Sequence, residues 1–253
     1  MIDLCPTIAG VRLPFCLMNA AGALSTSREE LLALAHSDAG AVVTKSITAE
    51  SFLDTGATCG IENPGATYYA SLLPELRRVG KPVMMSVAGL SIEEFVRTAQ
   101  ILATAGADLI EVNLNDPQVH TYLAPFASAD NLSRIISTMR QAVAAPLVIK
   151  LPAKVALPLA TVTSVLLDAD IRAMVCHTTS VTGEPSQAQT VLHASHGKLD
   201  VIGVGGVSTG AEALTVLHNG VKAIQIASAV VREGVSAFTR LKRELADGME
   251  LGV

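Results

Sequence analysis

Two lysines end apolar segments of the chain, and both could take part in chemistry. Lys45 ends the segment Ala41–Lys45, and Lys150 ends Leu147–Lys150. A buried ammonium without a partner is costly. Three interpretations are open at this point: the lysines reach solvent along their alkyl chains, they contact an extended anionic cofactor with an electron-rich ring, or one of them forms a Schiff base with a carbonyl substrate.

Small residues follow two apolar segments near the end of the chain. Gly205 and Gly206 follow the first segment, and Ala227 and Ser228 follow the second, Ala223–Ile226. Such residues leave the backbone N–H groups accessible to an anion. Because the loops after the last two strands of eight-stranded β/α barrels commonly hold a phosphate, these segments predict a phosphate site.

Polar residues also follow an apolar segment in the middle of the chain. Asn113, Asn115 and Asp116 come in close succession, and we expect Pro117 to prevent a helix from continuing and to hold the polar groups at the strand end. Asn113 lies within the apolar run and needs a partner, which a carbonyl or N–H group of a bound ring would provide. Asn115 has the alternative role of a turn residue.

Cysteine and histidine residues give weaker signals. Only one of the neighbours Cys176 and His177 can face the inside of a barrel, and we expect Cys176 to pack in the core. His193 and His196 have a spacing that could hold a metal ion, but no third ligand is near, so we expect no metal site. The four cysteines lack the close spacing of zinc or dithiol sites, which favours reduced thiols.

The composition excludes several classes of protein. A net charge of -5 without a basic cluster argues against nucleic-acid binding. No run approaches the ~18 apolar residues of a membrane span. We therefore expect a cytoplasmic protein that binds a small molecule, with neither nucleic acid nor membrane as a partner.

Eight apolar segments alternate with helical patterns, which predicts the α/β class and a single (β/α)8 TIM barrel, with residues 1–253 as one domain. The predicted strands are Pro14–Met18, Ala41–Lys45, Pro82–Val87, Leu109–Leu114, Leu147–Lys150, Ala173–His177, Val201–Val204 and Ala223–Ile226. Helices are expected to begin at Ser27, Ser91 and Ser128, and to end at Gly40, Gly106 and Gly220.

Several segments, taken in order, resemble the soluble, FMN-dependent dihydroorotate dehydrogenases. They are Pro14–Gly22, Val43–Ser46, Pro82–Ser91, Glu111–Leu114, Val148–Pro152 and the two segments that contain Gly205 and Ala227. The resemblance covers nearly the whole chain and implies that FMN lies across the barrel mouth. The implied cofactor-binding residues are Ala20, Ala21, Gly22, Lys45, Ser46, Asn113, Lys150, Gly205, Gly206, Ala227 and Ser228. Lys45 is also expected to be catalytic, since a cation beside the ring stabilises the reduced flavin.

The substrate half departs from the pattern of this family. Where the family has Asn-Leu-Ser-Cys-Pro-Asn, this chain has Asn113-Leu-Asn-Asp-Pro-Gln118, so Asp116 takes the place of the catalytic cysteine. The expected substrate contacts are Asn63, Gln118, Thr179 and Ser180. The loop Cys59–Gly65 is shorter than in the family, and Gly183–Gln187 replaces a Gly-rich loop. We expect CH–CH oxidoreductase chemistry on dihydroorotate, in pyrimidine biosynthesis, or on a different small cyclic or unsaturated substrate.

Two other functions are open. One is a Schiff-base lyase or aldolase that uses Lys45 or Lys150, and the other is a flavin-binding protein without turnover. The resemblance implies a homodimer. A partner subunit for electron transfer, fumarate or another acceptor would complete the reaction.

Overall fold

The computed structural model describes residues 2–52, 62–180 and 184–250. Eight parallel strands form one sheet, and they are β3 (Leu17–Asn19), β4 (Val42–Val43), β5 (Val83–Val87), β6 (Leu109–Asn113), β7 (Leu147–Lys150), β8 (Ala173–His177), β9 (Asp200–Val204) and β10 (Ala223–Ile226). The sheet curves into a nearly closed barrel, which confirms the predicted TIM barrel. Each predicted strand is present within a few residues of its expected bounds.

The helices alternate with these strands and cover the outside of the sheet. They are α1 (Arg28–His36), α2 (Ala66–Arg77), α3 (Ile92–Thr104), α4 (Pro117–Leu123), α5 (Ala129–Ala142), α6 (Leu159–Asp168), α7 (Gln187–Ser195), α8 (Gly210–His218), α9 (Ser228–Glu233) and α10 (Ser236–Glu250). The predicted caps are confirmed at Ser27, Ser91 and Ser128, whose hydroxyl oxygens accept backbone N–H groups of the first turn. No helix in the described ranges is long and apolar enough to cross a membrane.

The two ends of the sheet, β3 and β4, meet through the side chain of Asn19 and through one backbone bond, from the N–H group of Gly40 to the carbonyl oxygen of Leu17 (2.7 Å). Asn19 accepts a hydrogen bond from the N–H group of Val43 (2.9 Å) and donates one from Nδ2 to the carbonyl oxygen of Val43 (2.6 Å). An amide side chain carries the same donor and acceptor as a peptide group. On its other edge, β3 pairs with β10 along the backbone. Asn19 and the backbone bond from Gly40 therefore close the cylinder between the first and second barrel strands.

Two local predictions are wrong. Gly40 does not end a helix, since α1 ends at His36, with Ser37 as its cap. Instead it allows a close approach, because a Cβ at Gly40 would lie 1.7 Å from the carbonyl oxygen of Phe15. Pro117 does not prevent a helix but begins α4, where its missing N–H group costs nothing.

One element of the fold was not predicted from the sequence. β1 (Thr7–Ile8) and β2 (Val11–Arg12) form a short antiparallel hairpin before the first barrel strand. Ile8 and the following Leu13 are fully buried and pack with side chains of the barrel interior. The hairpin therefore supplies apolar side chains to the inside of the barrel.

Candidate active site

Inward-facing side chains change from apolar to polar toward the carboxyl end of five strands. Met84 precedes Ser86 in β5, Leu109 precedes Glu111 in β6, Val148 precedes Lys150 in β7, Val175 precedes His177 in β8, and Ala223 precedes Gln225 in β10. Residues two apart on a strand face the same side. We call Met84, Leu109, Val148, Val175 and Ala223 the apolar layer, and Ser86, Glu111, Lys150 and Gln225 the polar layer.

Glu111 lies at the centre of the polar layer and is fully buried. Its Oε1 accepts a hydrogen bond from the hydroxyl of Ser86 (2.8 Å), and its Oε2 accepts one from Nε2 of Gln225 (2.5 Å). The amide oxygen of Gln225 in turn accepts from Nζ of Lys150 (3.0 Å). Gln225 thus connects an acid and a base, because its amide nitrogen donates to the carboxylate and its amide oxygen accepts from the ammonium.

Lys150 has a partner within the protein. Its Nζ lies 3.6 Å from Oε1 of Glu111, and its side chain is only 6% exposed. The expectation that a buried Lys150 needs a ligand to balance its charge is therefore unnecessary, because Glu111 balances it. An ammonium has three donors. The contacts with Gln225 and Glu111 occupy at most two of them, so the lysine can still donate to a ligand.

Asn113 continues this network toward the end of β6. Its Nδ2 donates to the hydroxyl of Ser46 (2.8 Å), and its Oδ1 accepts from the N–H group of Asn115 (3.0 Å). The Ser46 and Ser86 hydroxyls lie 3.4 Å apart, which links Ser46 to the polar layer. The partner that the sequence requires for Asn113 is thus supplied by the protein, and one amide hydrogen is left for a ligand.

Lys45 and the segment after β3 lie together at the same end of the barrel. A Cβ placed on Gly22 would lie 3.8 Å from Nζ of Lys45, and Gly22 has a φ of +87°. Ala20 is buried and Ala21 is half-buried. The lysine therefore passes over backbone that carries no side chain.

His177 and Cys176 face opposite sides of β8, as the alternation requires. Cys176 packs between the sheet and the helices, and burial raises the pKa of its thiol. His177 follows Val175 of the apolar layer, and its Nε2 is buried without a hydrogen-bond partner in the described structure. Burial, and then the charge of Lys150, lower the pKa of His177. It is therefore a neutral imidazole beside the polar layer, with one unused nitrogen.

The two glycines after β9 have backbone conformations that favour glycine. Gly205 has a φ of +89° and Gly206 a φ of +72°, and a Cβ on Gly206 would lie 2.5 Å from Cγ2 of Thr179. Gly206 and Thr179 are exposed, as are Ala227 and Ser228 at the start of α9. No side chain caps the first turn of α9. The neighbouring ends of β9 and β10 thus offer backbone N–H groups to an anion.

The residues predicted for the substrate half lie in different surroundings. Asp116 is 7% exposed and precedes α4, and its carbonyl oxygen accepts from the N–H group of His120. Asn63 is buried, and its amide bonds to Thr48 and to the N–H group of Gly65. Ser180 is exposed near Thr179. Gln118 belongs to α4, but its side chain lies outside the described part of the structure, as does Cys59.

A metal centre is not evident among the residues that the structure describes. They contain no group of three or more His, Cys, Asp or Glu side chains suited to an ion. The rings of His193 and His196 lie 6.1 Å apart between centroids.

Glu111 and Gln225 were not predicted from the sequence as site residues. Each is a single polar residue in an otherwise apolar strand, and Glu111 lies two residues before Asn113 on the same face. That pattern already indicates a buried partner, because an isolated charge cannot be accommodated in a barrel core. Their pairing across 114 residues of sequence appears only in the fold.

Comparison with known proteins gives the family. The family model described as dihydroorotate dehydrogenase matches residues 3–196 and 186–249. The chain belongs to the dihydroorotate dehydrogenase family. Members of this family are oxidoreductases that act on CH–CH bonds, and this chain is an enzyme of that type.

Individual relatives agree with this family. The catalytic subunit of dihydroorotate dehydrogenase B (NAD(+)) from Thermoplasma acidophilum is 29% identical over 285 residues, which cover 99% of this chain and 95% of the relative. A crystal structure of DHODH from Eimeria tenella, in complex with ferulenol, matches with a TM-score of 0.82 and 14% identity, over 100% of this chain and 88% of that one. The second likeness shows the fold.

Proposed function

We propose that this enzyme uses FMN to oxidise or reduce a carbon–carbon bond in dihydroorotate or in a related small cyclic substrate. Proteins of the dihydroorotate dehydrogenase family are flavoproteins that generally bind FMN. The observation that carries the proposal is that a diglycine loop and a buried lysine, one of whose donors is unused among the described residues, occur at the same end of one barrel. When bound, FMN supplies the two-electron acceptor or donor that CH–CH chemistry needs.

The phosphate would be held by backbone groups. Gly205 and Gly206 leave the loop after β9 open, and a side chain at Gly206 would collide with Thr179. Ala227 and Ser228 offer the first N–H groups of α9 beside this loop. These four residues therefore fit a phosphate group without any charged side chain.

The ring would be held by the residues around the polar layer. Lys150 and Asn113 each keep a donor hydrogen, and Ala20, Ala21 and Gly22 present little side chain. Lys45 and Ser46 complete this side of the mouth. A cation close to the ring favours the reduced, anionic form of a flavin, so we propose Lys45 as the residue that assists the electron transfer.

Asp116 is the proposed acid or base. Its carboxylate would accept the proton that the substrate loses on oxidation, or deliver it in the reverse direction. Gln118, Thr179 and Ser180 are the proposed substrate contacts. Asn63 remains a candidate, although its amide is bonded within its own loop.

The polar layer argues against Lys150 as an imine-forming nucleophile. Imine formation needs the neutral amine. If Lys150 lost its proton, Glu111 would remain as a buried anion without a counter-charge, which is strongly unfavourable. The lyase alternative therefore depends on Lys45.

The electron acceptor is proposed from the relatives. The T. acidophilum protein is named as the catalytic subunit of an NAD(+)-dependent enzyme. By that likeness, we propose that a partner subunit takes up the electrons.

The test is flavin binding by the purified protein. We expect a yellow protein, or an apoprotein that takes up FMN, with a visible absorption band that bleaches on reduction. Gly206→Ala should weaken FMN binding by about tenfold or more, since it closes the proposed phosphate site. Gly80→Ala is the matched control, because Gly80 also has a positive φ but has open space around it. Failure of the unaltered protein to bind FMN would refute the proposal.

A further inference from the structure

The burial of the Glu111 carboxylate is energetically unfavourable. It is fully buried, and its charge is removed from water together with that of Lys150. Buried ion pairs generally contribute little net stability, and apolar residues of similar volume often replace them without loss. The position therefore calls for an explanation other than stability.

The contacts around Glu111 fix where the charge of Lys150 lies. Gln225 accepts from Lys150 and donates to Glu111, so its amide cannot turn without breaking both bonds. Ser86 holds the other carboxylate oxygen. The ammonium and the carboxylate are therefore kept 3.6 Å apart by residues of four strands.

A fixed pair of opposite charges acts at a distance very differently from a single cation. Its net charge is zero, so its field falls off more steeply than that of a lone ammonium. A ligand ring at the barrel mouth would experience only part of the attraction that Lys150 alone would exert.

We propose that Glu111 is a positioning residue that compensates the charge of Lys150, and that it thereby limits how strongly the barrel mouth stabilises a reduced flavin. The effect on the flavin rests on the proposed function. The compensation itself concerns only residues of this chain. Without Glu111, Lys150 would favour the reduced flavin more strongly, and the reduction potential of the flavin would rise.

The first measurement is the reduction potential of the FMN-loaded Glu111→Gln variant. Glutamine keeps the shape and can still bond to Ser86, but removes the negative charge. We expect the potential to become more positive by an amount equal to about a tenfold change in the equilibrium constant, ~30 mV for a two-electron couple. Glu93→Gln, which removes an exposed carboxylate on α3, is the matched control and should leave the potential unchanged. An unchanged or more negative potential for Glu111→Gln would overturn the proposal.

The second measurement needs no flavin. The charge of Lys150 already lowers the pKa of His177, so the NMR titration of His177 reports on that charge. In flavin-free Glu111→Gln, the proton affinity of His177 should fall by about twofold or more, and Glu111→Asp should retain the original value. No change in the titration would contradict the compensation. If the protein binds no FMN, the proposed function fails, whereas this titration still decides the role of Glu111.

A double variant covers the case in which Glu111→Gln does not fold. Glu111→Gln combined with Lys150→Gln leaves neither charge in the barrel. This variant also removes a proposed contact to FMN, so the FMN potential should become more negative, but by less than a tenfold change in the equilibrium constant, because Glu111 already offsets most of the attraction of Lys150. A tenfold or larger decrease would mean that Lys150 acts on the flavin without compensation.

Discussion

Inside the barrel, the apolar layer is filled by aliphatic side chains, whereas the polar layer next to it consists of a carboxylate, an ammonium, an amide and a hydroxyl. Both layers are buried. The apolar layer gains stability from burial at little cost. The polar layer stabilises the fold only if each of its polar groups has a hydrogen-bond partner. The difference separates the part of the barrel that maintains the fold from the part that can perform chemistry.

The largest effect should arise beyond the polar layer, at Asp116. Asp116→Asn removes the proposed proton acceptor while keeping its shape, so substrate-driven flavin reduction should slow by about 10²–10⁴-fold. FMN binding should persist, as measured by absorbance titration. Asp130→Asn, an exposed aspartate on α5, serves as the control. Full activity in Asp116→Asn would remove this residue from the mechanism.

Removal of one charge from the polar layer should destabilise the protein, and removal of the opposite charge as well should restore most of the stability. Lys150→Met leaves Glu111 as an unpaired buried charge and should lower the free energy of unfolding by about 3–5 kcal/mol. Lys150→Met combined with Glu111→Leu should recover most of that loss. Chemical denaturation of both variants measures the difference. Equal stabilities for the single and the double variant would show that the pair is not coupled.

Damage to the apolar layer should affect stability alone. Met84→Ala removes a fully buried side chain and should cost about 2–5 kcal/mol. The reduction potential of bound FMN should not change, because no charge or hydrogen bond is lost. Met249→Ala provides a control at a position that is 38% exposed. A shifted reduction potential in Met84→Ala would show that the apolar layer also affects the flavin.

The smallest effect concerns pH and His177. Burial lowers the pKa of His177 in the folded protein, so the unfolded chain binds the proton more tightly. The free energy of unfolding should therefore decrease as the pH falls below about 6.5. His177→Gln should show a weaker acid dependence in denaturation experiments, while the exposed His218→Gln should resemble the unaltered protein. Identical pH profiles for His177→Gln and the unaltered protein would argue against a neutral His177.

The strands could be predicted from the sequence because each is a short apolar run that ends at a polar or small residue. The hairpin of β1 and β2 could not, since strands of two residues leave no periodicity to detect. Glycine is a common residue type at a helix end, but Gly40 instead allows a close contact with Phe15, which depends on tertiary packing.

The candidate site was predictable in its outline but not in its internal pairing. Lys45, Lys150 and Gly205 stand out by residue type and by position at strand ends. The partnership of Glu111 with Lys150 depends on the order of strands around the barrel, which a single sequence does not reveal. The internal partner of Lys150 was therefore not predicted, and the contact of Lys150 with a ligand stays a prediction.

The side-chain closure by Asn19 has a consequence for how the chain could be rearranged. β3 shares its backbone ladder with the last strand, β10, and meets the second barrel strand through the amide of Asn19 and one backbone bond from Gly40 to Leu17. A circularly permuted chain that begins at α1, with a linker from residue 250 to residue 2, would finish on β3 and keep all the strand ladders of the sheet. We expect such a permutant to fold. We also expect the natural barrel to open locally first between β3 and β4.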